Sequence, residues 1–245
     1  MTGAYGSMAS VYDEWMRHLD YSAWWHYLRT TFAIGDSQSI LELGCGTGNL
    51  TKEIAKDGHA VLASDLSCAM LTQAEAKLRD RKNVSFMLLD MRSLPKALGS
   101  YDFIVAACDA VNYLRSYDEL EQFLHGARAL LKPHGLLLFD VHGPGRMAEF
   151  SERPERNRVG VKSCYLWSVA LHDTLITHRL TGFLRSEDNR WSRFDEIHLQ
   201  RYFTPTDIAK AATSAGFTHV QVYDFLSASQ PHEKSKRLQF SCSAD

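Results

Sequence analysis

Ile40-Leu41-Glu42-Leu43-Gly44-Cys45-Gly46-Thr47-Gly48 decides the fold. A short apolar run enters a glycine cluster, and Leu50, Ile54 and Ala55 follow at helical spacing before Asp57-Gly58 ends the pattern. That is a buried strand, a tight turn and a helix. Such a turn is a ligand site for physical reasons. Glycine lets backbone approach a ligand closely, a helix N-terminus offers free N–H groups, and open α/β sheets bind at the carboxyl ends of their strands.

Working outward, further strands are expected at residues 60–64, 84–89, 103–107 and 136–141, with helices at 69–78 and 117–131 between them. Alternation of this kind reads as β-α-β units on a parallel sheet with helices on both faces. Upstream, Tyr12, Trp15, Tyr21, Trp24, Trp25 and Tyr27 recur at three- and four-residue intervals, so residues 11–31 are expected to be helical. After Gly143-Pro144-Gly145 the pattern changes. Residues 160–203 alternate as strands, with a turn at Ser186-Glu187-Asp188-Asn189, which predicts an antiparallel insertion of about three strands. Thr204-Pro205-Thr206-Asp207 is a helix start with a capping threonine and a proline in the first turn. Strands at 220–225 and 238–241 close the chain. The expected fold is a Rossmann-like, doubly wound, mostly parallel seven-stranded sheet with an antiparallel β insertion after the fifth strand. Residues 1–145 and 204–245 would form one domain with an N-terminal helical lid within 1–35, and 146–203 a subdomain.

The glycines stand at 44, 46 and 48, whereas the dinucleotide fingerprint G-x-G-x-x-G would need glycine at Asn49. Glu42, inside the strand, would repel a pyrophosphate but suits a cationic ligand. Asp65 ends the second strand, where an acid can accept both hydroxyls of a ribose. Asp90 ends the third, where it could take a hydrogen bond from an adenine amino group while the Met91 N–H reaches a ring nitrogen. At these residues the sequence resembles the class I S-adenosylmethionine-dependent methyltransferases. Glu42 to Gly48, Asp65-Leu66-Ser67 with Met70, Leu89-Asp90-Met91, and Leu131-Lys132-Pro133-His134-Gly135-Leu136 carry the resemblance, with His134 where glycine is common. Ala9-Ser10-Val11-Tyr12-Asp13 and the β insertion are similar to a bacterial subgroup related to glycine and aminosugar N-methyltransferases.

The resemblance implies S-adenosylmethionine as cofactor. It also implies a set of cofactor-binding residues: Tyr12, Trp24, Glu42, Gly44, Cys45, Gly46, Asp65, Leu66, Met70, Asp90, Met91, Arg92 and Cys108. Gly44 and Gly46 would underlie the methionine part, Asp65 hold the ribose, Leu66 pack on adenine, and the Cys108 carbonyl meet the ammonium. Methyl transfer from a sulfonium has a good neutral leaving group, so alignment and exclusion of water are the main demands. His142, just past the fifth strand, is the candidate base and Tyr12 the candidate positioner. An ordinary polar loop histidine is the other reading of His142. Glu196, His198, Gln200 and Tyr202 share one strand face, either solvated or lining an acceptor pocket.

Composition narrows the function. Net charge is −2 over 245 residues, which gives no strong field toward nucleic acid or an anionic membrane. Asp109-Ala110-Val111-Asn112 stands where nucleic-acid amino methyltransferases carry [DN]-P-P-[YFW]. Five widely spaced cysteines and no C-x-x-C pair argue against a disulfide framework or a thiolate zinc site. The eleven histidines show no helical zinc motif, so no metal is expected. No apolar run approaches the ~20 residues of a membrane helix, and the N-terminus lacks a secretory pattern. The expectation is a cytoplasmic methyltransferase acting on N or O of a small-molecule acceptor, with no nucleic-acid or membrane partner. A methyltransferase of RNA or protein, and a non-catalytic S-adenosylmethionine-binding regulator, are the alternatives.

Overall fold

The computed structural model describes residues 6 and 8–244. Its elements run α1 (Tyr12–Trp15), α2 (Tyr21–Thr31), β1 (Ser39–Leu43), α3 (Asn49–Lys56), β2 (Ala60–Asp65), α4 (Cys68–Leu78), β3 (Val84–Leu88), β4 (Tyr101–Ala106), α5 (Tyr117–Leu130) and β5 (Leu131–His142). Then come α6 (Pro144–Glu152), β6 (Glu155–Val159), β7 (Ser163–His172), β8 (Leu175–Arg185), β9 (Trp191–Arg201), α7 (Pro205–Ser214), β10 (His219–Asp224) and β11 (Arg237–Ser243). Seven strands form one sheet in the order β10-β11-β5-β4-β1-β2-β3, and β6 to β9 form a second, antiparallel sheet. In the large sheet β3, β2, β1, β4 and β5 are parallel, while β11 runs antiparallel to both its neighbours.

Period-two alternation in β1 explains why helices cover both faces. Leu41 and Leu43 join Phe123, Leu124, Ile208 and Ala212 on one side, where α5 and α7 pack. Ile40 joins Trp25, Leu28, Leu50 and Ile54 on the other, under α2 and α3. Strands covered on both faces need near-continuous apolar sequence, which Ser39–Leu43 and Tyr101–Ala106 supply. Among the described residues no helix is long and apolar enough to cross a membrane.

The structure corrects two local expectations. The segment 11–31 is two helices rather than one. Asp20 caps α2 by accepting from the Ala23 N–H at 2.9 Å, and a capping side chain starts a new helix instead of continuing an old one. The insertion has four strands and a preceding helix, where about three strands were expected. Gly143-Pro144-Gly145 opens that helix with proline in its first turn. Both glycines are required by close passage of the 234–236 backbone. A Cβ on Gly143 would lie 2.2 Å from the Ser235 carbonyl oxygen, and one on Gly145 2.3 Å from that of Lys234.

The N-terminal segment ties the two sheets together. Asp13 accepts from the Thr47 hydroxyl at 2.5 Å and the Asn49 amide at 2.9 Å, and it pairs with Lys77 at 2.7 Å. On the other side of α1, Trp15 Nε1 donates to Ser163 Oγ at 3.0 Å, and the Trp15 ring packs on Tyr165 and Phe194. Burial works against ionised Asp13, but its bonds to Lys77, Thr47 and Asn49 outweigh this and leave its pKa below the ordinary value. Its contribution to stability is therefore present above the ordinary carboxylate pKa and lost as pH falls through the lowered one. Asp13→Ala is expected to speed amide hydrogen exchange over residues 8–16 about tenfold or more, from loss of charge-assisted bonds worth roughly 1.5–3 kcal/mol. Amides of β1 and β4 should stay unchanged, and uniform acceleration across the chain would contradict the local clamp.

Candidate active site

Two cavities meet at the carboxyl ends of the parallel strands. The larger has a volume of about 770 Å³, within the ordinary range for small-molecule and cofactor sites. Its wall includes Tyr12, Gly44, Gly46, Asp65, Leu66, Met70, Asp90, Met91, Arg92 and Cys108. The fold thus brings together ten of the residues singled out from sequence. Gly44 has φ +70°, and a Cβ there would lie 2.8 Å from the Ala110 Cβ, so the turn is closed to any larger residue. Asp65 is held rigidly: its Oδ2 accepts from the Gly46 N–H and its Oδ1 from the Ser67 N–H, both at 2.8 Å. Each oxygen keeps a second lone pair, as a diol-binding carboxylate requires.

Other expected residues lie elsewhere. Glu42 and Cys45 are buried beneath the loop, outside the cavity wall. Glu42 Oε2 accepts from the Thr51 hydroxyl at 2.6 Å, which ties β1 to α3. Burial pushes its pKa up to about 8. The Cys45 thiol faces the Gly46 carbonyl at 3.6 Å, and burial raises its pKa as well. Trp24 is buried edge-on against Phe225, with the Arg237 guanidinium 5.3 Å from its ring, and does not line the cavity. The Asp90 carboxylate is turned onto Arg92, whose Nε and Nη2 donate to it at 2.9 and 2.6 Å, so its oxygens are already engaged.

The second cavity, about 230 Å³, shares Tyr12, Cys108 and Tyr113 with the first. Its wall adds Asp109, His142, Arg146, Phe150, Arg156, Trp167, His178, Gln200 and Arg237, among others. Cys108 and Asp109 are successive non-glycine residues at positive φ, +59° and +53°. Two such residues in a row cost energy, and the surroundings hold them in place. The Asp109 N–H donates to Asp140 Oδ2 at 3.0 Å, Arg237 Nη2 donates to Asp109 Oδ1 at 2.8 Å, and Arg237 Nη1 donates to Asp140.

A hydrogen-bond chain then fixes the tautomer of His142. Burial opposes ionised Asp109, but Arg237 prevails and its pKa is lowered, so its carboxylate only accepts. Gln200 must turn its Nε2 toward Asp109 Oδ2, at 2.8 Å. The Gln200 Oε1 then faces His142 Nε2 at 2.9 Å and His178 Nε2 at 2.8 Å, so both rings carry their proton on Nε2. Trp167 Nε1 donates to His178 Nδ1 at 3.2 Å. His142 Nδ1 is left with a bare lone pair, buried and without a hydrogen-bond partner. Burial lowers the pKa of both rings, that of His178 to about 4, which keeps them neutral near pH 7.

β9 serves both cavities through its alternation. Buried His198 and Gln200 line the second, while exposed Ile197 and Leu199 line the first. The polar face of this strand is thus inward, joined by buried Glu196, whose Oε1 accepts from the Met8 N–H at 2.9 Å. Tyr202 lies in the adjoining apolar cluster instead. Sequence reading missed Ile197, Leu199 and Tyr113. The signal for the first two was an amphipathic strand whose polar positions needed burial because the sheet roofs a polar cavity. Among the described residues, no group of three or more His, Cys, Asp or Glu is placed to hold a metal ion.

Comparison with known proteins agrees with this architecture. A family model described as a methyltransferase domain matches residues 40–135. YqeM of Bacillus subtilis (strain 168), which carries a provisional methyltransferase name, is 32% identical over 96% of this chain and 95% of its own. The chain belongs to the S-adenosylmethionine-dependent methyltransferases. A solved S-adenosylmethionine-dependent methyltransferase from Clostridium acetobutylicum ATCC 824 superposes with a TM-score of 0.85 at 24% identity, covering 98% of this chain and 99% of that one. The amino pentose methyltransferase CalS10 from Micromonospora echinaspora, solved with S-adenosylmethionine bound, has a TM-score of 0.73 at 18% identity and full coverage of both chains.

In this methyltransferase Glu42 is a structural cost that grows with pH. Its folded pKa of about 8 lies above the ordinary 4.5. Between those values the unfolded chain releases a proton that the folded chain retains, so stability falls as pH rises. Glu42→Gln keeps an acceptor for Thr51 without the ionisation. Thermal melts are expected to show the variant gaining on the parent from pH 5 to pH 8 and level beyond. A gap independent of pH would contradict a buried neutral Glu42.

Proposed function

We infer that this methyltransferase transfers the methyl group to a nitrogen or oxygen atom of a small molecule that binds in the 230 Å³ cavity. The observation that carries the reading is the junction at Tyr12, Cys108 and Tyr113, where a cofactor-sized cavity opens into a smaller polar one. A small, roofed cavity suits a metabolite-sized acceptor better than an RNA or protein strand. CalS10 is described as an amino pentose methyltransferase, and an amino pentose is likewise a metabolite-sized acceptor. The insertion, residues 146–203, is a subdomain on the acceptor side that also lends Ile197 and Leu199 to the large cavity, and residues 1–145 with 204–245 form the cofactor-binding domain.

S-adenosylmethionine supplies an electrophilic methyl group whose transfer leaves a neutral thioether. The residues present fit it. The glycine turn at 44 and 46 leaves room for the methionine portion, Asp65 offers two oxygens to a ribose, and exposed Leu66, with Ile197 and Leu199, offers apolar cover for a base. Tyr12 stands between the cavities and orients the acceptor toward the methyl. The His142 Nδ1 lone pair takes the proton that a neutral nucleophile must lose, and Gln200 with Asp109 holds the ring in the tautomer that leaves this nitrogen bare.

Calorimetry is expected to show micromolar binding of S-adenosylmethionine and S-adenosylhomocysteine, with Asp65→Ala weakening both about tenfold or more, a change of ~1.4 kcal/mol. Unchanged affinity would remove Asp65 from the ribose site. A labelled-methyl screen over amines, phenols and acids should then yield an acceptor, and a protein that binds cofactor but methylates nothing would favour the regulator reading. With that acceptor, His142→Ala should lower kcat roughly 10²-fold or more, the usual range for loss of a general base. Cofactor affinity should be unchanged, and a wild-type kcat would remove His142 from the reaction.

A further inference from the structure

We propose that the acceptor carries a carboxylate group, and that Arg146 and Arg156 hold it at the end of the small cavity away from the cofactor. This rests on the reading of that cavity as the acceptor site. Both arginines line the small cavity, and neither belongs to the wall of the large one. Arg146 comes from α6 and Arg156 from β6, so the insertion supplies the pair.

Charge is unbalanced at this end. One acid, Glu149, faces both guanidiniums. Arg146 Nη1 donates to Glu149 Oε2 at 2.7 Å. Arg156 Nη2 lies 3.2 Å from Glu149 Oε1 but out of line for a hydrogen bond, and that buried nitrogen has no hydrogen-bond partner. Exposed Lys236 adds a further cation, 3.3 Å from Glu149 Oε2. The nearby groups do not restore the balance. Arg237 faces two acids, Asp109 and Asp140, which leaves one negative charge in that cluster, fewer than the two positive charges in surplus around Glu149, and burial keeps His142 and His178 neutral. Burial lowers the Arg146 pKa, and Arg237 and Arg156 lower it further against the opposing pull of Glu149 and Asp109.

The guanidiniums are also held in place. Arg156 lies 5.0 Å from the ring centroid of Phe150 and 5.4 Å from that of Trp167, and Arg146 lies 5.8 Å from Phe150. Aromatic faces position a guanidinium without neutralising it, which leaves its planar fork available to a carboxylate. Arg146, Arg156, Lys236 and Arg237 against Glu149, Asp109 and Asp140 leave a single surplus positive charge around this end, which suits a monoanion better than a phosphate dianion. Trp15, Tyr165 and Leu180 complete an apolar wall for the body of the molecule. The reacting nitrogen or oxygen would then lie at the opposite end, beside Tyr12, Cys108 and Tyr113.

The test uses the full chain saturated with S-adenosylhomocysteine, whose own binding must be measured first; its failure to bind would reject the cofactor reading rather than this one. Benzoate and 3-phenylpropionate are titrated against benzamide and 3-phenylpropionamide, followed by calorimetry and by intrinsic tryptophan fluorescence, to which Trp15 and Trp167 of the cavity wall contribute. The acids are expected to bind at least tenfold more tightly than the amides. Arg146→Gln and Arg156→Gln should each remove that advantage, and Arg156→Lys should retain part of it, because charge remains while the fork is lost. Unchanged S-adenosylhomocysteine affinity in each variant shows that it is folded. Equal binding of acids and amides, acids that bind the variants as well as the parent, or no acid binding up to about 10 mM would overturn the proposal. Phenyl phosphate binding more tightly than benzoate would overturn the carboxylate assignment.

Discussion

Arg237 lies between Asp109 and Asp140, and the arrangement of the site depends on that contact. The arginine opens the last strand, Asp140 belongs to β5, and Asp109 follows β4. The cluster therefore joins three neighbouring strands at the sheet edge where both cavities meet. It also holds the left-handed turn at Cys108 and Asp109, a conformation that non-glycine residues adopt only under constraint. Burial pushes the Asp140 pKa up to about 6 against the opposing pull of Arg237. Removing the arginine would leave two acids facing each other away from water, so the cluster must be kept whole or replaced whole. The surrounding aromatics Trp24 and Phe225 complete its enclosure.

From that cluster the constraint passes outward through Gln200. One amide reads an ionised carboxylate on one side and two neutral imidazoles on the other, and so sets which nitrogen of His142 is bare. Gln200 belongs to β9, and β9 is shared between the cavities by simple alternation. The small sheet is consequently part of both binding walls. Asn112 fastens its end: the side chain donates to the Arg201 carbonyl at 2.7 Å and accepts from the His142 N–H at 3.0 Å. At the other end, α1 spans from the glycine turn through Asp13 to the small sheet through Trp15. The small sheet is thereby referenced at two points to the large one.

The large sheet was legible in the sequence because parallel strands buried on both faces must be apolar throughout, and capping residues such as Thr204 mark where helices begin. The floor of the large cavity was legible for a related reason: Gly44, Asp65 and Asp90 each end or follow a strand, and strand ends of an open sheet converge. Glu42 and Cys45 follow the same motif but turn into the packing beneath it, Glu42 onto Thr51 of α3 and Cys45 into the cluster of Ile40, Leu50 and Ile54. Trp24 was misleading since an aromatic stripe reports burial without naming the partner, which here is Arg237 and Phe225. The roof was hardest to read. Its residues come from 12 to 237 in the chain, and its strand β9 buries polar side chains, which reverses the pattern by which a half-buried strand is ordinarily recognised.

The central claim is that the methyl donor and the acceptor meet at the junction bounded by Tyr12, Cys108 and Tyr113. A crystal structure with S-adenosylhomocysteine tests it most directly. The account predicts the ribose hydroxyls on the Asp65 carboxylate and the thioether sulfur at that junction, facing the small cavity. Density for the ligand outside the large cavity, or a sulfur directed away from the junction, would contradict it.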